Sequence, residues 1–162
     1  MAVSADPHTR LVTHALGSCL GVAVFDPVVG VAGLLHAVLP LSSADREKAR
    51  TQPLSYVDTA VPLLFRACYR LGARKQRMVV AVAGAAAAAG EDDADGFQIG
   101  KRNLVVLRRL LWKNGILIRA LDVGGRRLWR TLALEVSTGR MLLTVNGVER
   151  VLDPGRRDNT WP

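Results

Sequence analysis

Two side chains suited to acyl chemistry stand close together near the start of this chain: Cys19 and, on the next apolar segment, His36. A thiol attacks a carbonyl only as thiolate, and a neighbouring imidazole is the usual base that makes it one. Cys19 follows Leu16-Gly17-Ser18. Glycine there permits a tight turn that exposes consecutive backbone N–H groups, and the Gly17-Ser18 turn can supply donors to an oxyanion. Such a pair usually has a third group that orients the imidazole. Three residues are open for that role: Thr13, whose hydroxyl would hold the ring tautomer, Asp26 and Asp122. Asp26 is also explained by its turn with Pro27.

Plainer readings compete with these. Cysteine is a common core filler, and Cys68, on the apolar stripe of a helix, is assigned to the core. A histidine on an apolar strand is often satisfied by backbone. His8, His14, Cys19 and His36 match no closed tetrahedral zinc spacing, so neither metal nor cofactor is expected.

The elements that must position the pair follow from periodicity. From Cys19 to Phe25, Leu20, Val22 and Val24 share one face, and Cys19, Gly21, Ala23 and Phe25 the other. Asp26-Pro27-Val28-Val29-Gly30 supplies a turn, and Val31 to Leu39 reads as the return strand of a hairpin ended by Pro40. Thr9 to Thr13 is expected as a short strand, residues 1–8 as a mobile lead-in, and Leu41 to Pro53 as a surface loop. A helix over Tyr56 to Leu71 carries Val57, Ala60, Val61, Leu64, Cys68 and Leu71 inward. A cap at Asp58 or Thr59 would put Pro62 in its first turn, and Gly72 closes it. Met78 to Ala83 reads as a buried strand, and the alanine-rich Gly84 to Gly90 with the acidic run after it as a loop. Gly100 to Asn114 is a second helix, with Leu104, Leu107, Leu110 and Leu111 inward and Arg108, Arg109 and Lys113 outward. Strands over Ile116 to Val123, Leu128 to Val136 and Arg140 to Val145 follow, the last two joined at Ser137-Thr138-Gly139. The pattern predicts a mixed α+β fold: a layered sandwich of mixed β-sheets with two main helices, rather than a doubly wound sheet.

With 162 residues, nearly half of them hydrophobic, the chain fits one domain with a real core. No apolar run is long enough to span a membrane, and Met1 to Arg10 lacks the build of a signal peptide. A cytoplasmic location with both thiols free is the expectation. The net charge of +8 is scattered and not interleaved with aromatic residues, which argues against nucleic acid and for an acidic protein partner.

The pattern T-x-x-L-G-S-C, with a later histidine in G-L-x-H-x-x-L-P, closely resembles the CheD chemoreceptor glutamine deamidases. Thr13, Leu16, Gly17, Ser18, Cys19, Gly33, Leu34, His36, Leu39 and Pro40 fall on it. The resemblance continues in Tyr56 to Pro62, in Leu71-Gly72-Ala73, in Ile99-Gly100-Lys101-Arg102-Asn103 and in Asp122-Val123-Gly124-Gly125. It implies an α/β sandwich with Cys19 as nucleophile, His36 as general base and Thr13 as the group that orients it. The implied domain spans 9–152, with flexible termini at 1–8 and 153–162. The implied substrate is a glutamine on the cytoplasmic helical domain of a methyl-accepting chemotaxis receptor, and some members bind a CheC-type phosphatase. Gly100, Arg102 and Asn103 are candidates for a substrate or partner loop, or else only cap the second helix. The chain departs from many relatives at Ala15, where they have glycine, at Ala83-Gly84-Ala85, and at Leu128-Trp129. A binding module that regulates a CheC-like partner, or another Cys–His enzyme such as a transglutaminase or peptidase, are the alternatives.

Overall fold

The computed structural model describes residues 1–87 and 98–152. The expectations for the acidic run and for the tail from Asp153 lie outside those residues, as does most of the alanine run. The protein is layered as predicted. A five-stranded mixed sheet is covered on one face by helices and on the other by a four-stranded antiparallel sheet.

The centre is β3 (Leu20–Asp26), in which every residue is buried. Its alternation is the expected one. Leu20, Val22 and Val24 pack under the helices, while Ala23 and Phe25 face the second sheet. Burying side chains of this size contributes about 1.5–3 kcal/mol each. β4 (Val31–Ala37) returns antiparallel, from Asp26↔Val31 to Leu20↔Ala37, as the predicted hairpin. β5 (Val79–Gly84) pairs antiparallel with the other edge of β3, and β6 (Ala120–Val123) lies parallel to β5.

The end of the hairpin is fastened by Asp26, which is fully buried. Its carboxylate accepts the N–H groups of Val28 and Arg74 and two bonds from the Arg77 guanidinium, at 2.9 and 2.7 Å. Burial alone would push the carboxyl up, but those donors hold it below the usual carboxylate range. Asp26 is therefore committed to the far end of β3 from Cys19 and does not orient His36.

The helices are α1 (Arg46–Thr51), α2 (Val57–Arg70) and α3 (Ile99–Lys113). α2 begins one residue after Tyr56 rather than after Asp58 or Thr59, so Pro62 falls in the second turn. It costs the helix the bond that Asp58's carbonyl would have accepted. The side chain of Asp58 instead accepts the N–H and hydroxyl of Ser42. Gly72 closes α2 at φ 93°, as expected, and Gly115 closes α3 at φ 65°. Arg108, expected outward, is half-buried.

Three segments differ from expectation. Ala2–Ser4, in the expected mobile lead-in, forms β1 and pairs with Ala32 to Leu34 of β4. The expected loop from Leu41 to Pro53 holds a 3-10 turn at Ser42–Ala44 and α1, whose cap Asp45 accepts the Lys48 N–H. Val148–Val151 adds a strand, β9, beside β8 (Met141–Val145), through a tight turn with Asn146 and Gly147 both at positive φ. β2 (Arg10–Leu16) and β7 (Arg130–Glu135) complete the second sheet.

Candidate active site

β2 runs regularly beside β7 as far as Thr13, then shifts register before Leu16. The shift is made at Ala15, whose φ of 57° is left-handed. An L-residue with a Cβ is disfavoured there by roughly 1–2 kcal/mol relative to glycine. Gly17 is not the strained residue. A Cβ there would crowd the Trp129 ring, at 3.2 Å. We expect Ala15→Gly to stabilise the protein by about 1 kcal/mol, read as a higher urea midpoint, with the cysteine turn unchanged.

By the alternation of β2, Thr13 shares the inward face of Leu11 and faces the five-stranded sheet at the end of β4. There the Thr13 hydroxyl lies 2.9 Å from Nδ1 of His36. His36 follows the parity of Ala32 and Leu34, so its ring lies on the side of β4 that meets the second sheet. With Nδ1–H donating to Thr13, the lone pair of Nε2 is left as the basic site. Gly21 is the residue opposite His36, and Cys19 lies two positions before Gly21, just outside β3, packed against the same inter-sheet core. Cys19 and His36 thus stand diagonally across the end of the hairpin, and the space that a side chain at Gly21 would take is filled by Leu16.

Main-chain bonds fix the turn that carries the thiol. Ala85 N–H donates to the Cys19 carbonyl at 2.9 Å, and Ala86 N–H to that of Gly17 at 2.8 Å. Gly84, at φ 113°, brings β5 so close that a Cβ there would run into the Cys19 carbonyl oxygen. The N–H of Gly17 is taken up by the Ala15 carbonyl at 3.0 Å. It is therefore not available as the oxyanion donor that the sequence pointed to. Ser18 is half-buried beside Cys19.

Both reactive groups are half-buried. Burial pushes the Cys19 thiol up from its ordinary value, only in part offset by its own N–H, and pushes the His36 imidazolium down. Both shifts favour a neutral thiol and a neutral imidazole at rest. Cys68 is fully buried under α2, its thiol pushed up to about 12 by burial, and both cysteines are free.

Of the other candidates, Asp122 faces Arg130 at 2.7 Å and also pairs with Arg150, which ties the two sheets together away from the imidazole. His14 turns to Thr131, at 3.2 Å, on an exposed surface. Among the described residues, no group of His, Cys, Asp and Glu gathers as a metal site. Arg102 is exposed, beside a shallow depression lined by Pro40, Leu41, Lys101 and Val105. Gly100 and Asn103 are buried, so neither belongs to an exposed loop. Gly100 lets α3 approach β5, since a Cβ there would stand 2.7 Å from the Ala85 carbonyl. Asn103 donates to the carbonyls of Ser18 and Val38. Its place was readable: Gly100, Asn103, Leu107 and Leu111 form the buried stripe of α3 at helical spacing.

The Thr13 contact carries a prediction. Thr13→Val removes the hydroxyl at nearly constant volume, and we expect turnover to fall about 10-fold with KM unchanged. Thr13→Ser should retain most of the rate. Steady-state kinetics on the pair of variants checks this.

A family model described as CheD chemotactic sensory transduction matches residues 38–145. The chain belongs to the CheD family. A probable chemoreceptor glutamine deamidase CheD 1 of Syntrophus aciditrophicus is 49% identical over 137 residues, 85% of this chain and 84% of its own. Probable chemoreceptor glutamine deamidases CheD of Solibacter usitatus and Pyrococcus abyssi are 40% and 42% identical, over 91% and 80% of this chain and 86% and 77% of theirs. The CheD match begins just after His36, but the Solibacter alignment, over 148 of the 162 residues, takes in both Cys19 and His36 wherever it begins. Among the described residues, no helix is long and apolar enough to cross a membrane.

Proposed function

We propose that this chain deamidates glutamine side chains of chemoreceptors to glutamate, with Cys19 as nucleophile, His36 as general base and acid, and Thr13 as the residue that holds the imidazole. The observation that carries the reading is the 2.9 Å contact between Thr13 Oγ1 and His36 Nδ1, on the strand paired with the one that Cys19 leads into. Nε2 of His36 takes the thiol proton as Sγ attacks the carboxamide carbon, and the carbonyl oxygen becomes an oxyanion beside the Cys19 N–H. As the tetrahedral species collapses, the C–N bond breaks and His36 returns the proton to the leaving ammonia. Water, deprotonated by His36, then attacks the thioester; the C–S bond breaks, glutamate leaves, and the thiol recovers its proton. The steps balance with no cofactor.

The basic surface favours an acidic protein partner over nucleic acid. Residues 9–152, together with β1 on the edge of their sheet, act as one deamidase domain in the cytoplasm, with a CheC-type phosphatase as a candidate regulator. The reading is tested by incubating the protein with the cytoplasmic fragment of a chemoreceptor from the same genome and mapping its peptides by mass spectrometry. Glutamine converted to glutamate at discrete positions, in proportion to added protein, is the expected result. An unchanged fragment under conditions where the receptor is folded would reject it.

A further inference from the structure

We infer that Asn103 is a positioning residue for the reaction: by bonding to both strands of the hairpin beyond its last rung, it sets where Cys19 stands relative to His36. The inference rests on the reading of Cys19 and His36 given above. Pairing between β3 and β4 stops at Leu20↔Ala37, one residue short of Cys19 on one strand and one past His36 on the other. Beyond that rung, Nδ2 of Asn103 donates to the Ser18 carbonyl at 3.1 Å and to the Val38 carbonyl at 2.9 Å. Ser18 adjoins Cys19 in the chain, and Val38 lies two residues past His36. One side-chain amide therefore replaces the missing rung and uses both its protons to do so.

The residue is a poor choice for stability alone. Asparagine is unfavourable within a helix, and here it is the fifth residue of α3 and fully buried. Its Oδ1 has no hydrogen-bond partner among the described residues, and leaving a buried acceptor unsatisfied costs stability. A second contact serves the same turn. Gly100, one helical turn earlier, presses α3 against Ala85, whose N–H holds the Cys19 carbonyl. α3 thus grips both flanks of the thiol, and Asn103 is the member that also reaches the histidine strand.

The test compares Asn103→Leu, which removes both donors at similar size, with Asn103→Ser, which keeps one. Leu107→Ala serves as the control: it weakens the same buried stripe one turn away, in the core beneath the hairpin, without removing a hydrogen bond to either strand. Two readouts are taken at equal folded fraction: kcat and KM on a receptor fragment, and the pH dependence of Cys19 alkylation by iodoacetamide, resolved from Cys68 by peptide mapping. The leucine variant is expected to lose on the order of 10- to 100-fold in kcat, with KM within about twofold of the parent. Its alkylation midpoint moves to higher pH as the thiol loses its base. The serine variant falls between, and Leu107→Ala leaves both readouts at parental values. The inference is overturned if Asn103→Leu loses no more kcat than the control, if KM alone changes, if the alkylation profile stays put, or if neither Asn103 variant folds. Because alkylation needs no receptor, a parent protein that fails to deamidate would reject the deamidase reading while the alkylation arm still decides the role of Asn103.

Discussion

Cys19→Ala is expected to lower receptor deamidation by on the order of 10⁴-fold or more, to the background rate, while the protein stays folded. The effect is large because the other thiol of the chain cannot take over the covalent step. The other cysteine, Cys68, is fully buried beneath α2, and its thiol lies near 12. The structural cost is small, since Cys19 is only partly buried, at the edge of the inter-sheet core, and losing one sulfur atom there removes about 1 kcal/mol. Cys68→Ala should show the reverse pattern, with stability reduced and turnover kept. Mass spectrometry of the receptor fragment, alongside thermal unfolding of both variants, separates the two. Comparable rates for Cys19→Ala and the parent would remove the thiol from the mechanism.

His36→Gln carries the second-largest expected loss, about 10²–10⁴-fold in kcat/KM. The pH profile is its signature. His36 is held below the ordinary imidazole range by burial, and Cys19 above the ordinary thiol range, also by burial. In the parent, the rate depends on neutral imidazole, so it falls only as pH drops through the lowered His36 value. It is already on its plateau at neutral pH. Without the imidazole, attack depends on thiolate formed by solvent alone. The residual rate of His36→Gln should then climb about tenfold per pH unit through neutrality, until the raised Cys19 value is reached. A variant that keeps the parental plateau would show that His36 is not the base.

The site was legible where one local pattern carried it. Alternation from Cys19 to Phe25 announced the strand, observed over Leu20–Asp26, and the turn at Asp26-Pro27 set the return that brings His36 alongside. Thr13 was one of three possible partners for the imidazole. The structure reduces three to one, because Asp26 is held by Arg77 at the far end of β3 and Asp122 by Arg130 and Arg150. The donor role expected of Gly17 failed on a backbone detail. Ala15, not Gly17, takes the left-handed conformation, so its carbonyl captures the Gly17 N–H.

Other segments left little trace because they bury little. β1 is three residues held to β4 by main-chain pairing, α1 buries no side chain, and β9 is an edge strand with Val148, Glu149 and Val151 exposed. None of these shows an apolar face, which is what periodicity detects. Asn103 was misread for a different reason. Its position on the buried stripe is local information, but the two carbonyls it bonds come from residues far along the chain.

The central claim is that a glutamine acyl group passes through a thioester on Cys19, and its most direct measurement is nucleophile partitioning. The receptor fragment is treated with the protein in buffer of increasing hydroxylamine concentration, and the products at each modified glutamine are weighed. A thioester is captured by hydroxylamine as readily as by water. The account therefore predicts hydroxamate in rising proportion to glutamate, and no product of either kind with Cys19→Ala. Glutamate alone at every hydroxylamine concentration would mean that water attacks the amide directly, and would contradict it.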